Sequence, residues 1–171
     1  MLPGITPCRI WQRHDIIKNM PELFLQSNIQ TFLPLLLAFV LGALLGLERE
    51  LSGKAAGLRT YALVALGAAL FALVAKESFL QLAAEQGTRL DLGNVIAAIA
   101  VGLGFLGAGL IVRHETNIWG LTSAAGVWAT GAIGVSVGLG FYSTAVFATI
   151  LVLFVFSVLR MFEKEVIHRG K

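Results

Sequence analysis

The sequence predicts an all-α integral membrane protein with about five transmembrane helices. Three observations predict it. Of 171 residues, 57% are hydrophobic and only 13% charged, against roughly 25% charged in soluble domains, and the mean hydropathy is +0.81. The charges fall in short clusters, separated by apolar runs long enough to cross a hydrocarbon core of about 30 Å. These runs are rich in Gly and Ala and lack the apolar/polar alternation of a membrane β-barrel. Each must therefore be a helix, the conformation in which a lipid-facing strand of backbone satisfies its own hydrogen bonds.

The elements follow in order. Residues 1–28 read as an N-terminal tail, residues 29–160 as the transmembrane domain and residues 161–171 as a basic tail. The first span covers about residues 29–47, with Pro34 near its start, where proline is tolerated. The second covers about 58–75, the third 95–112, the fourth 119–138 and the fifth 141–159. The fifth carries neither charge nor glycine, so most of its surface is expected to face lipid. The others contain small residues suited to close helix packing. Gly42-x-x-x-Gly46 and Gly134-x-x-x-Gly138 mark faces for helix contact or for a homo-oligomer seam. Gly102, Gly104, Gly107 and Gly109 are further candidate packing glycines. Gly46-Leu47 and Gly57-Leu58 recur as Gly109-Leu110 and Gly120-Leu121 at a shift of 63 residues, a spacing that admits two tandem parallel helical hairpins followed by a fifth helix.

Residues 46–60 place five charges, Glu48, Arg49, Glu50, Lys54 and Arg59, between the first two spans. A connector this charged belongs at a membrane face, and with Thr60 it forms the candidate functional hairpin. The 13 Lys and Arg orient the chain. Arg49, Lys54, Arg59, Arg113, Arg160, Lys164, Arg169 and Lys171 fall on one side, and Arg9, Arg13, Lys18, Lys76 and Arg89 on the other. The positive-inside rule then puts the hairpin and C-terminus in the cytoplasm and the N-terminus outside. The basic N-terminal tail opposes this bias. A start at Met20 would remove the conflict, and a surface-lying amphipathic segment is the rival explanation.

Few chemistries survive inspection of the remaining motifs. Residues 102–107 match G-x-G-x-x-G, but inside an apolar helix with no preceding strand, so no dinucleotide cofactor is expected. His14, His114, His168 and the single Cys8 lack metal-ligand spacing. No His–Asp pair accompanies a serine, so no enzymatic nucleophile is expected. Basic residues spread over tails and loops give no nucleic-acid signature. Glu48 and Glu50 could help hold a hydrated magnesium, but they do not share a helix face, and an ion-paired cluster fixing the hairpin fits their neighbours better. No span carries an ionisable group at mid-bilayer depth, which counts against an ion-coupled pump.

Several stretches together resemble the membrane domain of the MgtC/SapB family. They are Gly46-Leu-Glu-Arg-Glu, Gly53-Lys-x-Ala-Gly-Leu-Arg-Thr60, Leu66-Gly-Ala-Ala-Leu-Phe71, Gly102-x-Gly-Phe-Leu-Gly-Ala-Gly109, and Gly120-Leu-Thr-x-Ala-Ala125 followed by Trp128-x-Thr-x-Ala-Ile-Gly134. The resemblance covers about residues 29–160. It implies a bacterial inner-membrane protein linked to growth under magnesium limitation and, in pathogens, to virulence. It also implies action through a membrane-protein partner such as the F-type ATP synthase. The soluble C-terminal domain of the virulence-associated members has no counterpart in these 171 residues. Tyr61 stands where the family frequently has histidine, and Ala98 where it frequently has glutamine. The reading is a non-enzymatic protein that modulates a membrane partner or ion homeostasis; the alternative is a small transporter or channel for magnesium or another ion.

Overall fold

The computed structural model describes residues 8–83 and 91–159. The basic tail, residues 161–171, lies outside the described residues, as do the side chains around Met20. The chain divides into two compact units, Met1–Leu33 and Pro34–Lys171. In the first unit the described backbone is helical from Cys8. The boundary falls at Pro34, whose ring nitrogen cannot donate to the carbonyl one turn back.

The helices are α1 (Cys8–Leu51), α2 (Leu58–Ala83), α3 (Leu92–Leu110), α4 (Leu121–Leu139) and α5 (Tyr142–Phe154). Thr31–Leu51, Leu58–Gln81, Leu92–Leu110 and Leu121–Leu139 are long and apolar enough to cross a membrane, and Tyr142–Val158 is a shorter apolar helix. The fold is thus the expected helical membrane architecture. Two details differ from the sequence reading. The first span does not close at residue 47; the helix runs on through Glu48, Arg49 and Glu50 to Leu51. The third and fourth spans are separated by a small antiparallel ribbon, β1 (Val112–His114) and β2 (Asn117–Trp119), with Arg113 opposite Ile118. Glu115 turns the ribbon with φ 52°.

Local signals place the helix ends. The Asp91 carboxylate accepts from Gly93 N at 2.8 Å and caps α3, satisfying one of the orphan donors of a first turn. Gly120 opens α4 at φ 89°, where an added Cβ would run into the Leu110 carbonyl oxygen. Beyond Gly140, Phe141 N donates to Ser136 O at 2.8 Å, which closes the last turn of α4.

Packing rests on small residues. An added Cβ at Gly42 would lie 2.6 Å from Ala65 Cβ, and one at Gly46 would lie 2.7 Å from Leu58 Cα. Gly134 and Gly138 bring α4 against the backbone oxygens of Ala65 and Ala69, so α1 and α4 both close on α2 at Ala65. Both small-x-x-x-small faces are therefore spent on α2 within the chain, and not on a seam between copies. These pairings also fix direction. Positions increase together along α2 and α4, so those helices run parallel, whereas α1 runs antiparallel to α2. Leu103 packs on Gly131 and Ala124 on Gly107, so α3 runs antiparallel to α4. The α1–α2 and α3–α4 hairpins consequently turn at the same end of the bundle.

The helix α4 is central, with most of its residues buried, whereas α3 is peripheral, with Leu103 and Gly107 its buried residues. Gly107 is in ordinary contact with Ala124, and Gly102, Gly104 and Gly109 face open space.

Candidate functional site: a buried arginine at the α1–α2 corner

The α1 register decides the site. Leu41, Leu45 and Arg49 are all buried, and their four-residue spacing puts them on one stripe of the helix. The third member of this stripe is a cation, and it is only 1% exposed. Burying an unpaired guanidinium would be prohibitive, so its partners are the essential question.

Three groups meet it. The Glu48 carboxylate accepts from the Arg49 guanidinium as an ion pair. Arg49 Nη2 also donates to the carbonyl oxygen of Phe156 at 3.2 Å. The guanidinium carbon lies 3.7 Å from the centroid of the Phe156 ring, a cation–π geometry. Phe156 belongs to a short π-helical segment, Val155–Leu159, that follows α5. Wide turns of this kind disturb the regular hydrogen-bond ladder, and here a main-chain carbonyl is shared with a side chain 107 residues away in sequence.

A second layer orders these groups. Ser52 Oγ donates to Glu48 Oε1 at 2.8 Å. The Tyr61 ring meets the Phe156 ring edge to face, centroids 6.4 Å apart at 78°. Tyr61 Oη donates to Ser123 O at 3.1 Å, tying α2 to α4. Gly126 has no side chain, and the Tyr61 hydroxyl and Phe156 ring occupy the space one would need. The guanidinium on α1 thus meets the π-helical segment after α5, and Tyr61 of α2 ties that segment to α4. Among the described residues, no buried side-chain nitrogen or oxygen lacks a hydrogen-bond partner.

The connector itself is compact. Gly53 sits at φ 65°, a left-handed conformation that glycine enters without the Cβ clash of other residues. Lys54 N closes the turn on Arg49 O at 3.0 Å. Glu50 Oε2 accepts from Leu58 N at 2.9 Å, satisfying a first-turn donor of α2 across the corner.

The structure thus divides the six hairpin residues into two sets. Glu48, Arg49 and Glu50 are used internally, with the two acids serving different donors. Lys54, Arg59 and Thr60 are exposed, and among the described residues neither Lys54 nor Arg59 forms an ion pair or side-chain hydrogen bond. Among the described residues no three His, Cys, Asp or Glu side chains come together as a metal site. Sequence reasoning placed all five charges at a membrane face and did not single out Phe156 as a partner of Arg49, nor Ser52, Tyr61 and Ser123 as the groups around that pair. The Leu41-Leu45-Arg49 spacing was the available signal for the burial. Nothing in the sequence of α5 marks Phe156.

Comparison with known proteins agrees with this architecture. The MgtC family profile matches residues 35–165. The chain is similar to Protein MgtC of Salmonella typhimurium (strain LT2), 46% identical over 122 residues, which is 71% of this chain and 48% of that protein. It is also similar to YhiD of Escherichia coli (strain K12), whose name designates it a candidate magnesium transporter, 36% identical over 136 residues, 80% of this chain and 63% of that protein. A Haemophilus influenzae protein is 39% identical over 138 residues, 78% of this chain and 57% of its own length. The chain therefore spans about half to three fifths of the curated relatives it matches. No solved structure matches it. A helical bundle with four membrane-length apolar segments, matched by this family over three quarters of its residues, identifies the chain as a multi-pass bacterial membrane protein of the MgtC family.

Proposed function

We propose that the protein is a non-enzymatic membrane modulator that acts on a partner complex, in the setting of adaptation to low magnesium. The observation that carries this reading is the division of the hairpin. Its acids and Arg49 hold the corner together, while Lys54, Arg59 and Thr60 project from a fixed position at one rim. A rigid corner presenting cations that form no ion pair among the described residues suits recognition of an acidic surface on another membrane protein. The family resemblance points to the F-type ATP synthase as one such complex, and the positive-inside rule places this rim in the cytoplasm.

The transporter reading has support in the name of the Escherichia coli relative. Against it stands the interior between α2 and α4, where close glycine–alanine contacts leave little room for a hydrated ion. The buried hydroxyls of Thr130 and Thr149 donate to carbonyls one turn back, both at 2.8 Å.

A photo-crosslinker at exposed Ala55, in cells grown at low magnesium, tests the modulator. A discrete membrane-protein adduct is expected, weakened by Lys54→Ala and Arg59→Ala together. Magnesium uptake by purified protein in liposomes above empty vesicles, with no adduct in cells, would replace this reading with the transporter.

A further inference from the structure

We propose that the open groove between α2 and α3 holds an anionic phospholipid, one acyl chain lying along the groove and the phosphate at Arg59. The groove has a volume of about 530 Å³, and every residue lining it is apolar. Leu63, Gly67 and Phe71 form one wall, and Ala98, Gly102 and Leu106 the other. Its size falls within the range of about 300–1,000 Å³ usual for small-molecule sites.

The groove exists because α3 is held more closely by α4 than by α2, which it meets at Ile99. Leu103 seats on Gly131 and Gly107 on Ala124, whereas an added Cβ at Gly67 or Gly102 would meet nothing within 4 Å. An unfilled gap forfeits the dispersion contacts of its walls, and the solvent available at this depth is the hydrocarbon of the bilayer.

Charge at one end selects the kind of lipid. Arg59 precedes Leu63 by one helical turn, and Thr60 precedes Val64 by the same interval, so both flank the groove at the rim where α2 begins. Arg59 is exposed and has no partner among the described residues. Its aliphatic stem can lie along apolar surface while the guanidinium reaches head-group level. The antiparallel course of α2 and α3 brings the C-terminal end of α3 to this same rim, with Arg113 three residues beyond it. Of the acids on the α1–α2 side of this rim, Glu48 is committed to Arg49 and Ser52 and Glu50 to Leu58 N; Glu115 lies in the ribbon beyond α3, where its main-chain oxygen accepts from Arg113 Nε at 3.3 Å. Basic residues beside a cleft between transmembrane helices favour anionic head groups. The inference does not depend on the partner reading, because purified protein suffices to test it.

The test is native mass spectrometry of the purified full chain, released from detergent with equal amounts of phosphatidylglycerol and phosphatidylethanolamine. Wild type is expected to retain phosphatidylglycerol about five-fold over phosphatidylethanolamine, the preference one interfacial basic residue supplies. Arg59→Gln should abolish that preference while leaving total lipid retention unchanged. Gly67→Leu with Gly102→Leu should fill the groove and remove both lipids; Ala98→Leu is the milder block if the double variant fails to fold. Equal retention of the two lipids by wild type overturns the proposal. So does a preference that survives Arg59→Gln, or phosphatidylglycerol retention that survives a folded groove-filling variant. A two-chain species that the groove-filling variant dissociates would give the groove to a second copy instead and overturn it as well.

Discussion

Replacing Arg49 by methionine tests the corner most directly. The substitution keeps the length and apolar stem of the side chain and removes its charge. Lost with the charge are the ion pair to Glu48, the hydrogen bond to Phe156 O and the cation–π contact on the Phe156 ring. A hydrogen bond to a charged group contributes about 1.5–3 kcal/mol and a desolvated cation–π contact about 2 kcal/mol. These terms share one guanidinium and are not additive. The relevant figure is the cost of removing one member of a buried pair, about 3–5 kcal/mol, because Glu48 is left without its cation. For a chain of this length each kcal/mol moves the melting temperature by about 2–4 °C, so Arg49→Met should melt roughly 6–20 °C below wild type. Thermal unfolding of the detergent-purified protein, followed by circular dichroism, measures it. Glu48→Gln should restore part of the loss when added to Arg49→Met, with a coupling energy of about 0.5–3 kcal/mol. Arg49→Lys should recover only part of the stability, since a single ammonium cannot reproduce the planar fork that serves Glu48 and Phe156 together. A melting temperature for Arg49→Met within about 2 °C of wild type would refute the claim that this arginine holds the corner.

Three further outcomes follow from the packing and the connector. Gly138→Val drives a side chain into Ala69 O and Ala72 Cβ and should cost at least about 1–3 kcal/mol as overpacking; Gly104→Ala, in the open interior of α3, should instead be neutral or gain up to about 1 kcal/mol, and the two melting curves separate the cases. Glu50→Ala removes the acceptor for Leu58 N and should cost about 0.5–2 kcal/mol, as loss of a helix cap does, with faster hydrogen exchange at the first turn of α2 as its local signature. In a Cys8→Ser background, Lys54→Cys should react with an impermeant maleimide in inverted vesicles and not in intact cells; labelling only from outside the cell reverses the assigned orientation.

The architecture was largely legible because membrane insertion leaves few solutions. Apolar length and the positions of charge clusters located every helix of the bundle, and the Gly42/Gly46 and Gly134/Gly138 spacings marked surfaces that the fold does use. What those glycines touch was not legible, because small-residue spacing reports close approach without naming the neighbour. Here the neighbour of both pairs is α2, with Ala65 touched by Gly42 and by Gly134. The ribbon at residues 112–119 was missed because two three-residue strands are too short for an alternation signal. The candidate site was half legible. The charged hairpin stands out in composition, yet composition gives each charge the same standing. Only the helical phase from Leu41 through Leu45 separates Arg49 from its neighbours. Phe156 contributes a ring and a main-chain carbonyl, and a carbonyl has no sequence signature at all.

The reach of Arg49 to that carbonyl has a mechanical consequence. α5 buries little of its own side-chain surface, with Ala145 and Thr149 the buried residues of the helix, yet its far end is pinned to the first hairpin of the chain. Sliding this end outward would strip a desolvated cation of its acceptor, and loosening the turn between α1 and α2 would release the end of α5. The two motions are geared through a single side chain. The segment Val155–Leu159 is thus held from the turn between α1 and α2 as well as from α5 itself.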